Sequence, residues 1–190
     1  MTDEELILRL NAKDNLAFRE LVQRYQLMVY KACYNLLNHQ QDAEDIAQEV
    51  FIEVFESVGQ FRQQSKFSTW LYRIAINKSL NYLRKNKWKN MVNSIEHFFS
   101  GDKNVNLEIE DKSANDSPYS IDYIERGKLL QAAIDALPEN QKIAFTLNKF
   151  DELSYQEITE VMNLSLASVE SLIHRAKINL QKNLINYYKK

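Results

Sequence analysis

One cysteine, two prolines and three glycines in 190 residues exclude several kinds of protein at the outset. A single cysteine, Cys33, allows no internal disulfide and no thiolate zinc cluster, and it reads as a small buried hydrophobe. So few turn formers argue against a β-rich chain, which would need many tight turns. No apolar run approaches the ~20 residues of a membrane span. The opening MTDEELILRL lacks the basic flank and apolar core of a secretory signal, so a cytoplasmic protein without membrane insertion is expected. The three histidines, His39, His97 and His174, are scattered, and there is no HExxH, no Gly-rich phosphate loop and no Ser–His–Asp arrangement. The chain is therefore not expected to be an enzyme, and neither a cofactor nor a metal is implied.

The most informative absence is local. Between Phe61 and Lys89 there is no Asp or Glu, although the run holds eight Lys or Arg and the whole chain has a formal net charge of −2. Aromatics interleave with the cations at Phe61, Phe67, Trp70, Tyr72, Tyr82 and Trp88. Cations neutralise phosphates and aromatic faces accept unstacked bases, so the mixture suits single-stranded or melted nucleic acid. At ~100° per residue, Leu71, Ala75, Ile76, Leu80, Tyr82 and Leu83 share one helical half. Trp70, Arg73, Asn77, Lys78, Asn81, Arg84 and Lys85 share the other. A solvated basic face on a core helix would carry the same charges, and Phe67 and Trp70 could equally be core. Acid is concentrated elsewhere, in Asp42–Glu56 and Glu96–Glu125, so a pI near 6.0 does not argue against nucleic acid.

What is present is helical periodicity in an all-α chain. Thr2-Asp3-Glu4-Glu5 is a capping box that starts a helix. A second helix is expected over about Asn15–Leu37, with Phe18, Leu21, Val22, Tyr25, Val29, Ala32, Cys33 and Leu36 inward. A third is expected over about Asp42–Val58, stopped by a left-handed Gly59. Its outer side carries Asp42, Asp45, Gln48, Glu49, Ile52, Glu53 and Glu56. Residues 91–120 lose periodicity and gain Asn, Asp and Ser, which reads as a flexible acidic linker closed by Ser117-Pro118, with Phe98 and Phe99 as its anchors. Helices resume from Ile121 to Leu137, and Pro138 suits the first position of the next, through about Phe150. Ser154-Tyr155-Gln156-Glu157 is a second capping box, opening a short helix to Met162. Asn163 suits a left-handed turn, Leu164 a buried plug, and Ser165 the next N-cap. The last helix has Val169, Leu172, Ile173, Ala176, Leu180 and Leu184 inward. Short helix, tight turn and longer helix make a helix-turn-helix candidate.

The run Asp42-Ala43-Glu44-Asp45-Ile46-Ala47-Gln48-Glu49-Val50-Phe51-Ile52, followed by Phe67-Ser68-Thr69-Trp70-Leu71-Tyr72-Arg73-Ile74-Ala75, resembles bacterial sigma factors, and most of all their compact extracytoplasmic-function group. The stretch from Leu137 through the helix-turn-helix is similar to the same family's second conserved domain. The resemblance implies two small helical domains, 1–90 and 121–190, joined by a linker over 91–120. It implies that the acidic helix docks on the β′ clamp helices of core RNA polymerase through Asp45, Gln48, Glu49 and Ile52. It implies further that the minus-ten promoter element is recognised and opened by Phe61, Arg62, Lys66, Phe67, Trp70, Arg73, Asn77, Lys78, Asn81, Arg84 and Lys85. By the same resemblance the linker threads near the polymerase active site and RNA exit path. The helix-turn-helix would read the minus-thirty-five element through Ser165, Ser168, Glu170, Ser171, His174, Arg175 and Lys177. An anti-sigma factor is an expected partner on the same ground.

The chain departs from the family at two places. Asn163 stands where the turn commonly has Gly, and Glu170 and Leu172 stand where many members have a basic residue and Arg. Glu170 could accept from cytosine N4 or simply compensate the helix N-terminus. Two other functions fit parts of the sequence: a free-standing helix-turn-helix regulator, and a helical adaptor without a nucleic-acid role. The regulator leaves the acidic helix and the Trp70 helix unexplained. Low-salt filter binding with and without core polymerase separates all three.

Overall fold

The computed structural model describes the backbone of residues 2–100 and 118–188, and side chains within 2–88 and 125–185. Eight α-helices and no strand occur among the described residues. They are α1 (Asp3–Asn11), α2 (Asn15–Leu37), α3 (Gln40–Ser57), α4 (Phe67–Ser100), α5 (Pro118–Asp135), α6 (Glu139–Lys149), α7 (Tyr155–Met162) and α8 (Leu166–Tyr188).

Local chemistry sets the helix ends. Both capping boxes form: the Glu5 amide donates to Thr2 Oγ1 at 3.2 Å and the Glu157 amide to Ser154 Oγ at 3.2 Å. The glutamate side chains reach back to the Thr2 and Ser154 amides at 2.9 and 3.1 Å. Each such cap is worth ~1 kcal/mol to its helix. Asn38 and Asn163 end α2 and α7 in the left-handed region, with φ of 52° and 53°. Asparagine tolerates that conformation because its short amide can bond locally.

Six features differ from the sequence reading, one being that α5 spans Pro118–Asp135 rather than Ile121–Leu137. α3 starts two residues early because His39 caps it, its Nδ1 accepting from the Asp42 amide at 3.2 Å. Gly59 is not left-handed; it sits in a 3-10 turn over Val58–Gln60. An added Cβ there would lie 3.2 Å from Asn11 Oδ1, so its smallness admits the end of α1. Pro138 is the N-cap of α6 rather than its first residue, with ψ of 142°, and its carbonyl accepts from the Lys142 amide at 2.9 Å. Leu164 is 37% exposed and is no plug. The left-handed Asn163 turns it outward, and Val161 and Val169 are the buried residues on either side of the corner. Finally, α4 runs to Ser100, so the first ten residues read as linker are helical. The anchors Phe98 and Phe99 lie outside the described side chains, and 101–117 outside the described residues.

Helices α2, α3 and α4 pack on one another, with α1 against α2 and the 3-10 turn. In the second half, α6 and α7 pack on α8, and α5 lies along it. The two halves meet where α4 packs on α7 and α2 on α6. Their apolar interiors are continuous: Leu21, Leu36, Val50 and Leu71 belong to the same buried cluster as Ile143, Leu147, Ile158 and Ile173. At ~1.5–3 kcal/mol for each fully buried aliphatic side chain, this cluster is the main source of stability. A smaller one, Ala133, Ile134, Leu137, Ala176 and Leu180, seals α5 to α8.

Candidate nucleic-acid interface

Helix α4 carries more burial than its sequence suggests. The stripe of Leu71 and Ala75 is fully buried, as expected of the side packed in the first half of the chain. A second stripe, Thr69, Tyr72, Ile76 and Ser79, is also buried, each 7% exposed or less. Within it, Tyr72 lines a cleft of about 440 Å³ between α2 and the loop after α6, together with Phe150 and Asp151, while Ser79 lies beside Cys33 of α2. Leu80 and Leu83 face Ile143 across a neighbouring cleft of about 500 Å³. Burial against residues distant in sequence has no periodic signature of its own, so Tyr72 was not legible as interior.

The loop before α4 is built on aromatic packing. Phe61, Phe67 and Trp70 form a triangle with ring centroids 5.4–5.7 Å apart. Phe67 also meets Tyr25 edge-on at 5.7 Å and is 3% exposed. Its placement as a DNA contact is therefore corrected: Phe67 is a core residue that holds the loop and the partly exposed Phe61 and Trp70 in place. Arg62, Gln63 and Gln64 project from the loop, with Gln63 left-handed at φ 54°. Beside them a cleft of about 320 Å³ is lined by Phe61, Gln63, Ser65 and Lys66, and from α1 by Asp3 and Glu4. The two acids come from far along the chain, which is why sequence spacing did not attach them to the loop.

Along α4, Asn77, Asn81, Arg84 and Lys85 are exposed. Lys78 lies back on α3, 2.9 Å from Glu53 and 3.4 Å from Glu49, and so ties the basic helix to the acidic one. Arg73 is half-buried and its Nε donates to the Glu160 carbonyl at 2.7 Å. Lys66 Nζ pairs with Glu157 at 2.9 Å, and Arg84 with Glu139 at 2.6 Å. Lys66 foremost, with the Ser154 hydroxyl and amide, holds the Glu157 carboxyl at about 2.

On α3, Asp45, Gln48, Glu49 and Ile52 form one exposed stripe, with Ile52 55% exposed. The stripe borders a groove of about 620 Å³ between α2 and α3, where Leu27 and Tyr30 join Gln48. Leu27 is 62% exposed, and nothing in the α2 pattern marked it as more than an interrupted polar face.

In the helix-turn-helix, Ser165 caps α8, accepting from the Ser168 amide at 3.2 Å, and the two hydroxyls are 2.8 Å apart. Arg175 Nη2 donates to Ser171 Oγ at 2.9 Å, so the guanidinium lies along the helix towards its start. Ser165, Glu170, Ser171, His174, Arg175 and Lys177 are exposed on α8, and Ser168 is half-buried. Among the described residues no cluster of His, Cys, Asp and Glu could hold a metal, and no helix is long and apolar enough to cross a membrane. Burial pushes the Cys33 thiol up to about 11, which leaves it unreactive in the core.

The family model for Sigma-70 region 2 matches residues 21–89, and the model for Sigma-70, region 4 matches residues 127–180. The chain is 34% identical over 186 residues to the RNA polymerase sigma-H factor of Pseudomonas aeruginosa, covering 96% of this chain and 93% of that one. It is 33% identical to the ECF RNA polymerase sigma factor SigW of Bacillus subtilis, with 90% of each chain covered. In fold it is similar to CnrH, solved in complex with the cytosolic domain of CnrY, with a TM-score of 0.65 and 20% identity over 97% of each chain. It is also similar to the sigma factor RpoE solved with the anti-sigma factor NepR from Bartonella quintana, with a TM-score of 0.61, 17% identity and coverage of 88% of this chain and 96% of that one. With both conserved regions in order and relatives matched along nearly their full length, the chain belongs to the sigma-70 family, in its extracytoplasmic-function group of RNA polymerase sigma factors.

Proposed function

We propose that this chain directs core RNA polymerase to promoters through three surfaces with separate tasks. The α3 stripe of Asp45, Gln48, Glu49 and Ile52, extended across the groove by Leu27 and Tyr30, docks on the β′ clamp helices. An apolar centre of Ile52 and Leu27 ringed by polar side chains suits a protein partner. The 61–66 loop and α4 then take the melted minus-ten strand. Arg62, Lys66, Arg73, Arg84 and Lys85 serve the phosphates, Phe61 and Trp70 offer ring surface, and Asn77 and Asn81 offer paired donors and acceptors. The start of α8 enters the major groove of the minus-thirty-five duplex, with Arg175, His174 and Lys177 on phosphates. The first task belongs to residues 1–90 with the second, and the third to 121–190. The chain itself supplies no bond-making chemistry and works in the cytoplasm, where the polymerase is.

The observation that carries this reading is the pairing, in one chain, of an exposed acidic-apolar stripe with a helix that has no acid from Phe67 to Lys89 and adjoins the stripe through Lys78. A free-standing regulator would need only the second. The test is transcription by bacterial core polymerase on a pool of genomic fragments, with and without this chain. Start sites that appear only with the chain, sharing one upstream two-part element, are the expected result. Transcripts unaltered by the chain would overturn the reading.

A further inference from the structure

We infer that Leu166 and Ala167, the first two residues of α8, read the 5-methyl group of a thymine in the upstream duplex. The inference rests on the entry of α8 into the major groove under the proposed function, and it adds residues that the sequence reading did not assign there. Leu166 is 45% exposed, Ala167 is exposed, and Leu164 beside them is 37% exposed. They surround the cap residue Ser165 with apolar surface, at the end of the helix that meets base edges. One exposed leucine is ordinary, whereas three apolar residues within four positions at this corner form an edge.

What the tip lacks decides its chemistry. From Asn163 to Val169 there is no charged side chain, so nothing there makes the paired contact of Arg or Lys with guanine. The two hydroxyls are turned on each other: Ser165 Oγ lies 2.8 Å from Ser168 Oγ and accepts from the Ser168 amide at 3.2 Å. Their bonding capacity is therefore largely used inside the cap. A helix start that met only water would gain from acid in its first turn, as α1 and α7 do, but α8 has none there. Acid at that place would meet phosphate. Glu170 stands one turn beyond Leu166 on the same flank, where i and i+4 side chains are neighbours. Apolar surface next to a carboxylate suits the thymine methyl and the cytosine amino group, which project from the pyrimidines into the major groove.

The test uses the full chain assembled with core polymerase, which selects duplexes from a pool randomised upstream of the start site. In the enriched element each thymine is replaced in turn by deoxyuridine, which removes the 5-methyl group and leaves the pairing edge unchanged. Wild-type holoenzyme is expected to lose affinity about fourfold, the ratio for burying one methyl group, at one thymine or two adjacent ones. Leu166→Ser with Ala167→Ser, both at exposed positions, is expected to bind the two bases alike while melting at the wild-type temperature. The wild-type measurement needs no variant, so it stands even if the substitutions disturb α8. Equal affinity of wild-type holoenzyme for thymine and deoxyuridine at every position, or an enriched element with no thymine on either strand, would overturn the inference alone. Full methyl sensitivity in the folded double variant would do the same. With no upstream element enriched at all, the placement of α8 falls, and the inference with it.

Discussion

The side-chain amide of Asn35 donates to the Asp151 carboxylate at 3.2 Å, joining residues 116 positions apart, while the second Asp151 oxygen has no hydrogen-bond partner. Burial pushes the Asp151 carboxyl up to about 6, against the opposing pull of Asn35 and Lys31. A raised pKa means that the folded chain prefers the protonated form. The favourable term is complete below the ordinary value of 3.8 and is lost as pH rises through about 6. Asp151→Asn removes the charge and keeps an acceptor for Asn35. The variant should be more stable than wild type by about 1–3 kcal/mol at pH 8, with the gap closing towards pH 4. Urea melts at both pH values measure it; a gap that ignores pH would sink the assignment.

Gln48→Ala with Glu49→Lys should weaken assembly with core polymerase by about 1–2 kcal/mol, much of it in association rate. Helicity should not change, because both side chains are exposed and Lys78 keeps Glu53 when Glu49 is reversed. Holoenzyme assembly at the wild-type rate and affinity would remove the docking role from this stripe.

Phe67 and Trp70 should part company. Phe67→Ala empties a buried site and should cost about 3–5 kcal/mol of stability, visible in a thermal melt. Trp70→Ala, half-exposed, should keep the fold and slow open-complex formation on duplex promoters. Unstacking a base costs a few kcal/mol, and a pre-melted template no longer requires it, so the Trp70→Ala defect should shrink there. An equal defect on both templates would rule out a melting role for Trp70.

Glu170→Lys decides how α8 reads DNA. If Glu170 accepts from cytosine, the variant should prefer a different upstream element, with a change of ~1–3 kcal/mol at one position. If the carboxylate only compensates the helix start, affinity should rise for all sequences and the salt dependence should steepen. Selection of upstream sequences by both proteins distinguishes the two, and identical preferences exclude the cytosine contact.

Helix number, caps and the inner stripes were legible because each rests on neighbours within four residues: Thr2 with Glu5, Ser154 with Glu157, Val169 with Ile173. The exposed stripe of Asp45, Gln48, Glu49 and Ile52 was legible for the same reason. Tyr72 was not, since Phe150 and Asp151, which share its cleft, lie some eighty residues on and leave no period in α4. Phe67 was misread because an aromatic in a basic run looks the same whether its ring stacks on a base or on Tyr25 and Phe61. His39 as a cap and Leu164 as an outward residue depend on single backbone angles, which composition does not encode.

The shared apolar cluster has a thermal consequence. Separating the halves would wet the faces of Leu36, Leu80 and Ile143, and hydration of apolar surface grows less unfavourable on cooling. The ion pairs beside it respond to salt rather than to modest cooling. Chilling and added salt therefore loosen different parts of one contact, and together they should widen the chain more than either alone.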